Sequence, residues 1–153
     1  MSLFIATGSN LGDRLMHLNE AKDILSRHLT FIAASRVYES PAVDYLNQPD
    51  FYNQVLEFEI PSLTPVAVMD FLLETELTLG RNRTVPKGPR IIDLDILFWG
   101  ESVMNTEKLT LPHPRLFERS FVVLPLSELP GFKTLKHAFN FKFSFDNSCS
   151  PIS

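Results

Sequence analysis

The sequence predicts one α+β domain in which an antiparallel sheet packs against helices. Four extended apolar segments and two segments with helical spacing alternate in the order β-α-β-β-α-β. The length of 153 residues is usual for one domain, and a hydrophobic content of 44% is enough to form one core. This order of elements indicates a ferredoxin-like arrangement, with the helices on one face of the sheet and a C-terminal extension beyond it.

The chain begins with a predicted strand and a predicted helix. Leu3 to Thr7 is an apolar run typical of a buried strand, and the following Gly-Ser-Asn ends it. From Leu11 to Leu29, apolar residues recur at helical spacing. Either Ser9 or Asn10 is expected to cap the N-terminus of this helix.

Two further strands are predicted before the second helix. One runs from Thr30 to Glu39, and a loop rich in proline and aspartate follows it from Ser40 to Asp50. The next strand runs from Phe51 to Ile60. Its alternation of residue types predicts one solvent-exposed face, formed by Val55, Glu57 and Glu59.

The second helix and the fourth strand complete the predicted domain. Thr64 is expected to cap a helix that Gly80 ends. The basic loop Arg81–Pro89 then leads into a strand from Ile91 to Phe98, and a last helical segment is expected around Glu118 to Leu129. We assign residues 1–132 to a single domain and residues 133–153 to a C-terminal extension or loose tail, loosest from Asn147 onward.

Composition argues against several classes of protein. The net charge of −4 disfavours nucleic acid as a partner, because phosphate contacts require a basic surface. Cys149 is the only cysteine, so no intramolecular disulfide can form and a reducing compartment fits. The N-terminus has no signal-peptide pattern, and no apolar run is long enough to cross a membrane. A cytoplasmic protein is therefore expected.

The fourth strand carries the most informative pattern. Side chains alternate faces along a strand, so Asp93 and Asp95 are expected to point the same way, with Cα atoms about 6.5 Å apart. Two carboxylates this close repel each other unless a cation lies between them, and Mg²⁺ commonly binds one or two carboxylates plus substrate phosphates. The alternative is a structural salt bridge with a nearby arginine. The opposite face of the strand is expected to join the core through Ile92, Leu94, Ile96 and Phe98.

Other segments suggest a phosphate and an aromatic ligand. The stretch from Gly80 to Arg90 holds four cations, and the planar guanidinium group of arginine suits phosphate oxygens. Gly8 can allow a ligand to approach the end of the first strand closely. Phe51 and Asn53 share a face that suits a flat heterocycle, although a core phenylalanine and a turn asparagine are the simpler interpretation. His113 lies between two prolines and can donate to a phosphate.

Eight segments, taken together and in order, resemble the 6-hydroxymethyl-7,8-dihydropterin pyrophosphokinase family. The resemblance runs from Ile5 to about Pro130, and the pattern G-P-R-x-x-D-L-D-I is its most specific part. The matching segments are Ala6–Gly12, Tyr38–Pro41, Gln48–Asn53, Gly80–Arg83, Gly88–Ile96, Leu111–Arg115, Glu118–Phe121 and Leu124–Leu126.

The resemblance implies an ATP- and Mg²⁺-dependent enzyme of folate biosynthesis. Such an enzyme transfers pyrophosphate from ATP to the hydroxymethyl group of the dihydropterin, giving AMP and the pterin diphosphate without a covalent enzyme intermediate. Asp93 and Asp95 would hold two Mg²⁺ ions, and Arg81 and Arg90 would act on the triphosphate as catalytic residues. The implied pterin-binding residues are Gly8, Ser40, Pro41, Val43, Phe51, Asn53 and Phe121. The implied ATP-binding residues are Glu76, Arg83, Ile96, Lys108, Thr110, His113 and Arg119.

The sequence departs from the family pattern in the loops. Lys87 stands where the family often has tryptophan, Pro114 stands where it often has tyrosine, and the Arg81–Pro89 loop is one residue shorter than in some members. In the family, this loop and Ser40–Asp50 close over the substrates, so the departures concern closure. No membrane or nucleic-acid partner is implied.

Two other functions fit parts of the pattern. An RNA-recognition module shares the β-α-β-β-α-β order, but the first strand has no aromatic motif beyond Phe4 and the net charge is acidic. An inactive relative or a regulatory metal-binding protein is the other alternative. Because the two aspartates and two arginines are all present, an active enzyme is the favoured interpretation.

Overall fold

The computed structural model describes residues 1–43, 47–81 and 89–152. The strands are β1 (Ser2–Ser9), β2 (Phe31–Ala34), β3 (Tyr38–Ser40), β4 (Phe51–Glu59), β5 (Asp93–Trp99), β6 (Met104–Asn105), β7 (Thr110–Leu111) and β8 (Ser150–Pro151). The helices are α1 (Arg14–His28), α2 (Pro65–Thr78), a 3-10 helix (Pro114–Glu118), α3 (Ser120–Leu126) and α4 (Phe132–Ala138).

An antiparallel sheet with β1 and β4 at its centre organises the chain. Its strand order is β5-β1-β4-β3-β8, and β2 also pairs with β4. Every pair in it is antiparallel. A separate hairpin joins β6 to β7. In the part of the chain described, no helix is both long and apolar enough to cross a bilayer.

One face of the sheet is covered by α1 and α2, as expected from the helical spacing. Leu18 and Leu25 from α1 and Leu72 from α2 are fully buried against Ile5 and Phe58 of the sheet. Thr64 caps α2 as predicted, because its side chain accepts a hydrogen bond from the Ala67 backbone nitrogen. Burial of these leucines and their neighbours supplies the main stabilisation of this face.

The opposite face is also covered, so the prediction of helices on one face is wrong. Val122 and Leu126 of α3 and Phe132 of α4 pack on Phe4 and Val55. The face of β4 predicted to be solvent-exposed is therefore buried at Val55 and Glu57, and only Glu59 at its end is exposed. Glu57 retains only 2% exposure and accepts hydrogen bonds from Ser2 Oγ at 2.7 Å and from the Gly131 nitrogen at 3.1 Å. Alternation along β4 could not reveal that a segment 70 residues later would cover this face.

The second predicted strand is divided at Ser35. The Ser35 backbone nitrogen donates to Val55 O, while its hydroxyl accepts from the Val55 nitrogen at 3.0 Å. A side-chain oxygen therefore replaces a main-chain carbonyl in the ladder. The chain consequently pairs with β4 as two short strands, β2 and β3, instead of one.

Two other details differ from the sequence-based expectations. Asp13 caps α1, because its carboxylate accepts from the Met16 nitrogen, so neither Ser9 nor Asn10 has that role. In β5, the register with β1 shifts so that Leu97 is an extra residue. This bulge places Phe98 in the cluster on the second face instead of with Ile96, because an inserted residue reverses the alternation beyond it.

Residues after Lys133 form defined elements. Leu135 of α4 is buried, Phe139 and Phe141 pack against the cluster on the second face, and β8 pairs with β3. The expectation of a loose tail is therefore wrong for residues 133–152. The sequence signal is weak here because α4 has only seven residues and most of the segment after it belongs to no helix or strand.

Gly131→Ala is expected to destabilise the protein, because the site has no room for a methyl group. Gly131 has an ordinary φ of −77°, but a Cβ there would clash with Glu57 Oε2 and lie 2.8 Å from Phe4 Cζ. Forcing a methyl group into such a site costs about 1–3 kcal/mol. Urea-induced unfolding measures this free energy.

Gly8→Ala is the matched control, because a Cβ on Gly8 would meet its nearest neighbours at 3.5 and 3.6 Å, which are ordinary contact distances. Its unfolding midpoint should equal or slightly exceed that of the unmodified protein. Equal midpoints for the two glycine variants would contradict the packing described at Gly131.

Candidate active site

A cavity of about 550 Å³ opens on the second face of the sheet, beyond the part that α3 and α4 cover. Its floor is formed by β5, β1 and β4, and α3, the 3-10 helix, the β6–β7 hairpin and the segment after β3 surround it. All sequence-predicted site residues that the structure describes line this cavity: Gly8, Ser40, Pro41, Val43, Phe51, Asn53, Glu76, Arg81, Arg90, Asp93, Asp95, Ile96, Lys108, Thr110, His113, Arg119 and Phe121.

Three predictions on the basic loop concern residues outside those described. Arg83 was expected to bind ATP, Lys87 departs from the family pattern, and the loop is one residue shorter than in some family members. Only its ends, Arg81 and Pro89, belong to the described part of the chain.

The strand register fixes how the floor of the cavity is arranged. Gly8 of β1 lies between Asp93 of β5 and Asn53 of β4, and in the next row of the same face Ala6 lies between Asp95 and Val55. Adjacent strands are about 4.8 Å apart, so Asp93 and Asn53 are separated by roughly 10 Å. Because the central positions are glycine and alanine, the space above them stays open between the acidic edge and the amide.

The acidic pair lies on one face of β5, as alternation predicts. Arg81 Nη1 contacts Asp93 Oδ1 at 2.9 Å, and Arg90 Nη1 contacts Asp93 Oδ2 at 3.3 Å. The salt-bridge interpretation is therefore correct for Asp93. Arg81 begins the basic loop and Arg90 directly follows it, so these contacts connect both sides of the loop to the acidic strand.

Of the two aspartates, Asp95 has the negative charge that nearby cations balance less well. Desolvation, together with the nearby carboxylates of Asp93 and Glu76, raises its pKa to about 7, although Arg119 and Arg81 act in the opposite direction. The side chain reaches the solvent in the cavity, but protein atoms surround it closely on the other sides. Solvent contact through the cavity mouth does not cancel the repulsion from two carboxylates.

Glu76 joins α2 to the acidic strand. Its Oε2 accepts from the Leu94 nitrogen at 2.8 Å and pairs with Arg81 Nη1 at 2.9 Å, while the residue is only 2% exposed. Sequence reasoning expected Glu76 to contact ATP. In the ligand-free protein these bonds hold Arg81 and the start of β5 in place.

The donor set of the acidic strand fits Mg²⁺. Within residues 1–43, 47–81 and 89–152, no three His, Cys, Asp or Glu side chains are placed to bind a metal by themselves. Mg²⁺ does not require such a cage, because it usually takes one or two carboxylates and completes its shell with water and phosphate oxygens. The raised pKa of Asp95 marks the place where an added positive charge would relieve repulsion.

The other end of the cavity combines aromatic rings with an amide. Phe51 and Phe121 are half-buried, and each has a guanidinium group beside its ring: Arg90 at 5.2 Å and Arg119 at 6.0 Å from the centroid. Asn53 Nδ2 donates to Ser40 Oγ at 2.8 Å, which orients the amide. Ser40, Pro41 and Val43 form the adjoining wall.

The β6–β7 hairpin and the 3-10 helix border the acidic end. Lys108 precedes Thr110 of β7, and both line the cavity. His113 Nδ1 accepts from the Arg115 nitrogen, and burial together with Arg119 and Arg115 lowers the pKa of His113. This imidazole is therefore neutral near pH 7 and presents Nε2 as a donor. Ile96 points into the core, but β5 is a sheet edge, so its backbone faces this side.

Sequence reasoning missed the role of Asn10. Its Nδ2 donates to Gln48 Oε1 at 2.8 Å and to Pro49 O at 3.0 Å, and its Oδ1 accepts from the Arg90 nitrogen at 2.8 Å. One buried amide therefore joins the end of β1 to both segments that border the cavity. The only signal in the sequence was an asparagine after a strand, which also suits a helix cap.

The 7,8-dihydro-6-hydroxymethylpterin-pyrophosphokinase family model matches residues 4–131. The chain is 41% identical over 128 residues to the 2-amino-4-hydroxy-6-hydroxymethyldihydropteridine pyrophosphokinase of Bacillus subtilis, covering 82% of this chain and 76% of that protein. It is 40% identical over 131 residues to the folic acid synthesis protein fol1 of Pneumocystis carinii, covering 85% of this chain but 18% of that longer protein.

Solved structures share the fold at low sequence identity. Wild-type HPPK-DHPS of Plasmodium falciparum with pteroate superposes with a TM-score of 0.63 at 14% identity, covering 82% of this chain and 38% of that one. This similarity concerns the fold alone, and the chain spans less than half of that larger protein.

Asp95→Asn is expected to stabilise the metal-free protein above neutral pH. The folded-state pKa of Asp95 is about 7 and its ordinary value is 3.8, so folding is linked to proton uptake between these values and stability falls as pH rises through them. The asparagine carries no charge and escapes this loss. With allowance for the solvent that reaches the carboxylate, the gain at pH 8 is on the order of 1 kcal/mol.

The measurement is the unfolding free energy in urea with EDTA, at pH 5 and pH 8. Asp23→Asn on the exposed surface of α1 is the control and should show little difference between the two values. A gain for Asp95→Asn that is no larger at pH 8 than at pH 5 would show that the carboxylates do not repel each other as described.

Proposed function

The chain belongs to the 7,8-dihydro-6-hydroxymethylpterin-pyrophosphokinase family, and from this premise we propose that it transfers pyrophosphate from ATP to the hydroxymethyl group of 6-hydroxymethyl-7,8-dihydropterin. The products are AMP and the pterin diphosphate, an intermediate of folate biosynthesis. The observation that carries the proposal is one cavity with an acidic, arginine-flanked end and an aromatic, amide-lined end.

The acidic end is suited to a metal-bound triphosphate. Mg²⁺ held by Asp93 and Asp95, two ions in the complete complex, would neutralise charge on the phosphate oxygens and polarise the β-phosphorus. Arg81 and Arg90 lie beside these carboxylates, where their guanidinium groups can bind phosphate oxygens and stabilise the charge that develops during transfer. The protein contributes position and charge, and the attacking group is the hydroxyl of the pterin.

The aromatic end is suited to the pterin ring. Phe51 and Phe121 would stack on its faces, and Asn53 would read its edge with the amide that Ser40 orients. Gly8 leaves the floor open between Asn53 and Asp93, so a pterin here can extend its hydroxymethyl group toward the acidic end. This arrangement brings the two reactants together in one orientation, which is a large part of catalysis.

The nucleotide would lie along the free edge of β5. An edge strand offers backbone donors and acceptors, and the backbone at Ile96 would bind the adenine. Lys108, Thr110, His113 and Arg119 border this region and can contact the ribose and phosphates. Because His113 is neutral near pH 7, it would donate a hydrogen bond there and add no charge.

The remaining expectations are proposals about architecture and location. The sheet order β5-β1-β4-β3, with α1 and α2 on one face, supports a ferredoxin-like core in which β2 and β3 together take the place of one strand. Residues 1–132 would be the catalytic domain and residues 133–153 its C-terminal extension, and the enzyme would work in the cytoplasm. ATP and the dihydropterin would be its small-molecule substrates, with no nucleic acid or membrane partner.

The reaction is tested by mass spectrometry of the products. ATP and 6-hydroxymethyl-7,8-dihydropterin should give AMP and a pterin diphosphate with Mg²⁺, and neither product with EDTA. Formation of ADP and a pterin monophosphate would contradict transfer at the β-phosphorus. No turnover, together with salt-sensitive binding of single-stranded RNA, would favour a binding module instead.

Asp95→Asn is expected to lower turnover at least about a hundredfold, because it removes a carboxylate from the proposed Mg²⁺ site. Since the same change should stabilise the metal-free protein, lost activity cannot be assigned to unfolding. Steady-state rates with saturating ATP and Mg²⁺ measure the effect, and Asp23→Asn should retain normal turnover. A folded Asp95→Asn variant with normal turnover would rule out the metal role.

A further inference from the structure

We infer that Asn147 is a positioning residue for the pterin site, acting through the C-terminal strap, which we define as residues 139–152. This inference rests on the proposed function. The strap lies beyond the residues that the family model matches, which end at 131. It is attached to both walls of the aromatic end of the cavity: to the start of α3, which carries Phe121, and to β3, which ends at Ser40.

Asn147 provides the N-terminal cap that α3 lacks. Arg119 occupies the capping position of α3 but makes no side-chain capping bond. Asn147 Oδ1 instead accepts from the Ser120 backbone nitrogen at 2.8 Å and from Ser120 Oγ at 2.6 Å. Its Nδ2 donates to Glu118 O at 2.8 Å and to Asp146 Oδ1 at 3.0 Å. The first turn of α3, with Phe121 one residue beyond Ser120, is therefore held by a side chain distant in sequence.

The strap also pairs with β3. Ser150 lies opposite Glu39 and Pro151 opposite Tyr38, and the Ile152 nitrogen donates to Val37 O at 3.0 Å. Ser150 is the third residue after Asn147, so the two attachments cannot be more than about 11 Å apart along the chain. The strap therefore limits the distance between the start of α3 and β3.

These attachments complete a closed path around the two rings proposed to stack on the pterin. Ser40 of β3 pairs with Phe51 of β4, so the first ring follows the position of β3. Phe121 follows the position of Ser120, which Asn147 holds. A slot between two rings binds a flat ligand well only at one spacing, and the strap sets that spacing before the ligand arrives.

Cys149 provides a way to measure whether the strap is attached to α3. It lies two residues after Asn147 and is half-buried, and this burial raises the pKa of its thiol. It is also the only cysteine in the chain. Its rate of reaction with a thiol reagent such as DTNB therefore reports release of the strap from α3, because a half-buried thiol with a raised pKa reacts more slowly than an exposed one.

The experiment compares Asn147→Ala with Asn147→Asp and with Asn140→Ala. Asn140→Ala is the matched control: the residue is an exposed asparagine of the same strap, and the described residues show no hydrogen bond to its side chain. The aspartate variant keeps an oxygen acceptor for Ser120. The measurements are the Kd of 6-hydroxymethyl-7,8-dihydropterin with a non-hydrolysable ATP analogue and Mg²⁺ present, and the rate of Cys149 modification with and without the pterin.

Asn147→Ala should weaken pterin binding about five- to tenfold, which corresponds to loss of one helix cap, and should speed Cys149 modification. Asn147→Asp should restore part of the affinity, because it keeps the acceptor for Ser120 but loses the bonds donated to Glu118 O and Asp146 Oδ1. Asn140→Ala should behave as the unmodified protein. In the unmodified protein, pterin should slow modification of Cys149, because coupling between two sites is reciprocal. A residue with a merely structural role would not give this protection.

Pterin affinity in Asn147→Ala within twofold of Asn140→Ala would overturn the inference, as would a Cys149 rate that pterin leaves unchanged. If Asn147→Ala does not fold, Ser120→Ala takes its place: it removes the hydroxyl bond to Asn147 but keeps the backbone bond, and a two- to threefold weakening of pterin binding is expected. An unmodified protein that binds no pterin would instead overturn the proposed function, a result distinct from equal binding by all variants.

Discussion

The structure around the cavity depends on how the acidic edge of the sheet is neutralised. Desolvation and the nearby carboxylates of Asp93 and Glu76 raise the pKa of Asp95 to about 7, and Arg81 contacts both of those carboxylates directly. Arg90 adds a second cation to Asp93. The two arginines therefore balance most of the negative charge of the site, but the carboxylate of Asp95 is still repelled by its neighbours. That remaining repulsion favours any ligand that brings positive charge, so part of the free energy of binding is already stored in the folded protein.

The register of the sheet gives the site two chemically different ends. Antiparallel pairing puts Asp93, Gly8 and Asn53 in one row, so the metal-binding edge and the amide are held roughly 10 Å apart by the backbone ladder and not by loops. The same face continues into the cluster of Phe4, Phe98 and Phe132 beneath α4. One face thus serves as core at one end and as site at the other, because small residues replace bulky ones along β1.

Much of this site could be predicted from the sequence, because its residues lie on regular elements or in recognisable segments. Alternation alone placed Asp93 and Asp95 on one face, and the cap at Thr64 followed from local rules. What could not be predicted depends on contacts between distant segments. The burial of Glu57 depends on Gly131, the division of the second strand depends on Ser35 meeting Val55, and the side of Phe98 depends on a bulge. Local periodicity carries no information about such pairings.

Two neutral amides, those of Asn10 and Asn147, connect segments that form the walls of the cavity. Asn10 joins the end of β1 to Pro49 and to Arg90, and Asn147 joins the strap to α3. A carboxylate at either place could not donate to the backbone oxygens of Pro49 or Glu118, and a cation could not accept from the backbone nitrogens of Arg90 or Ser120. An amide donates and accepts without changing the local charge, so the walls remain fixed while the charge in the cavity changes with each ligand. The residues that hold the walls of the cavity are therefore different from the residues whose charge is compensated by a ligand.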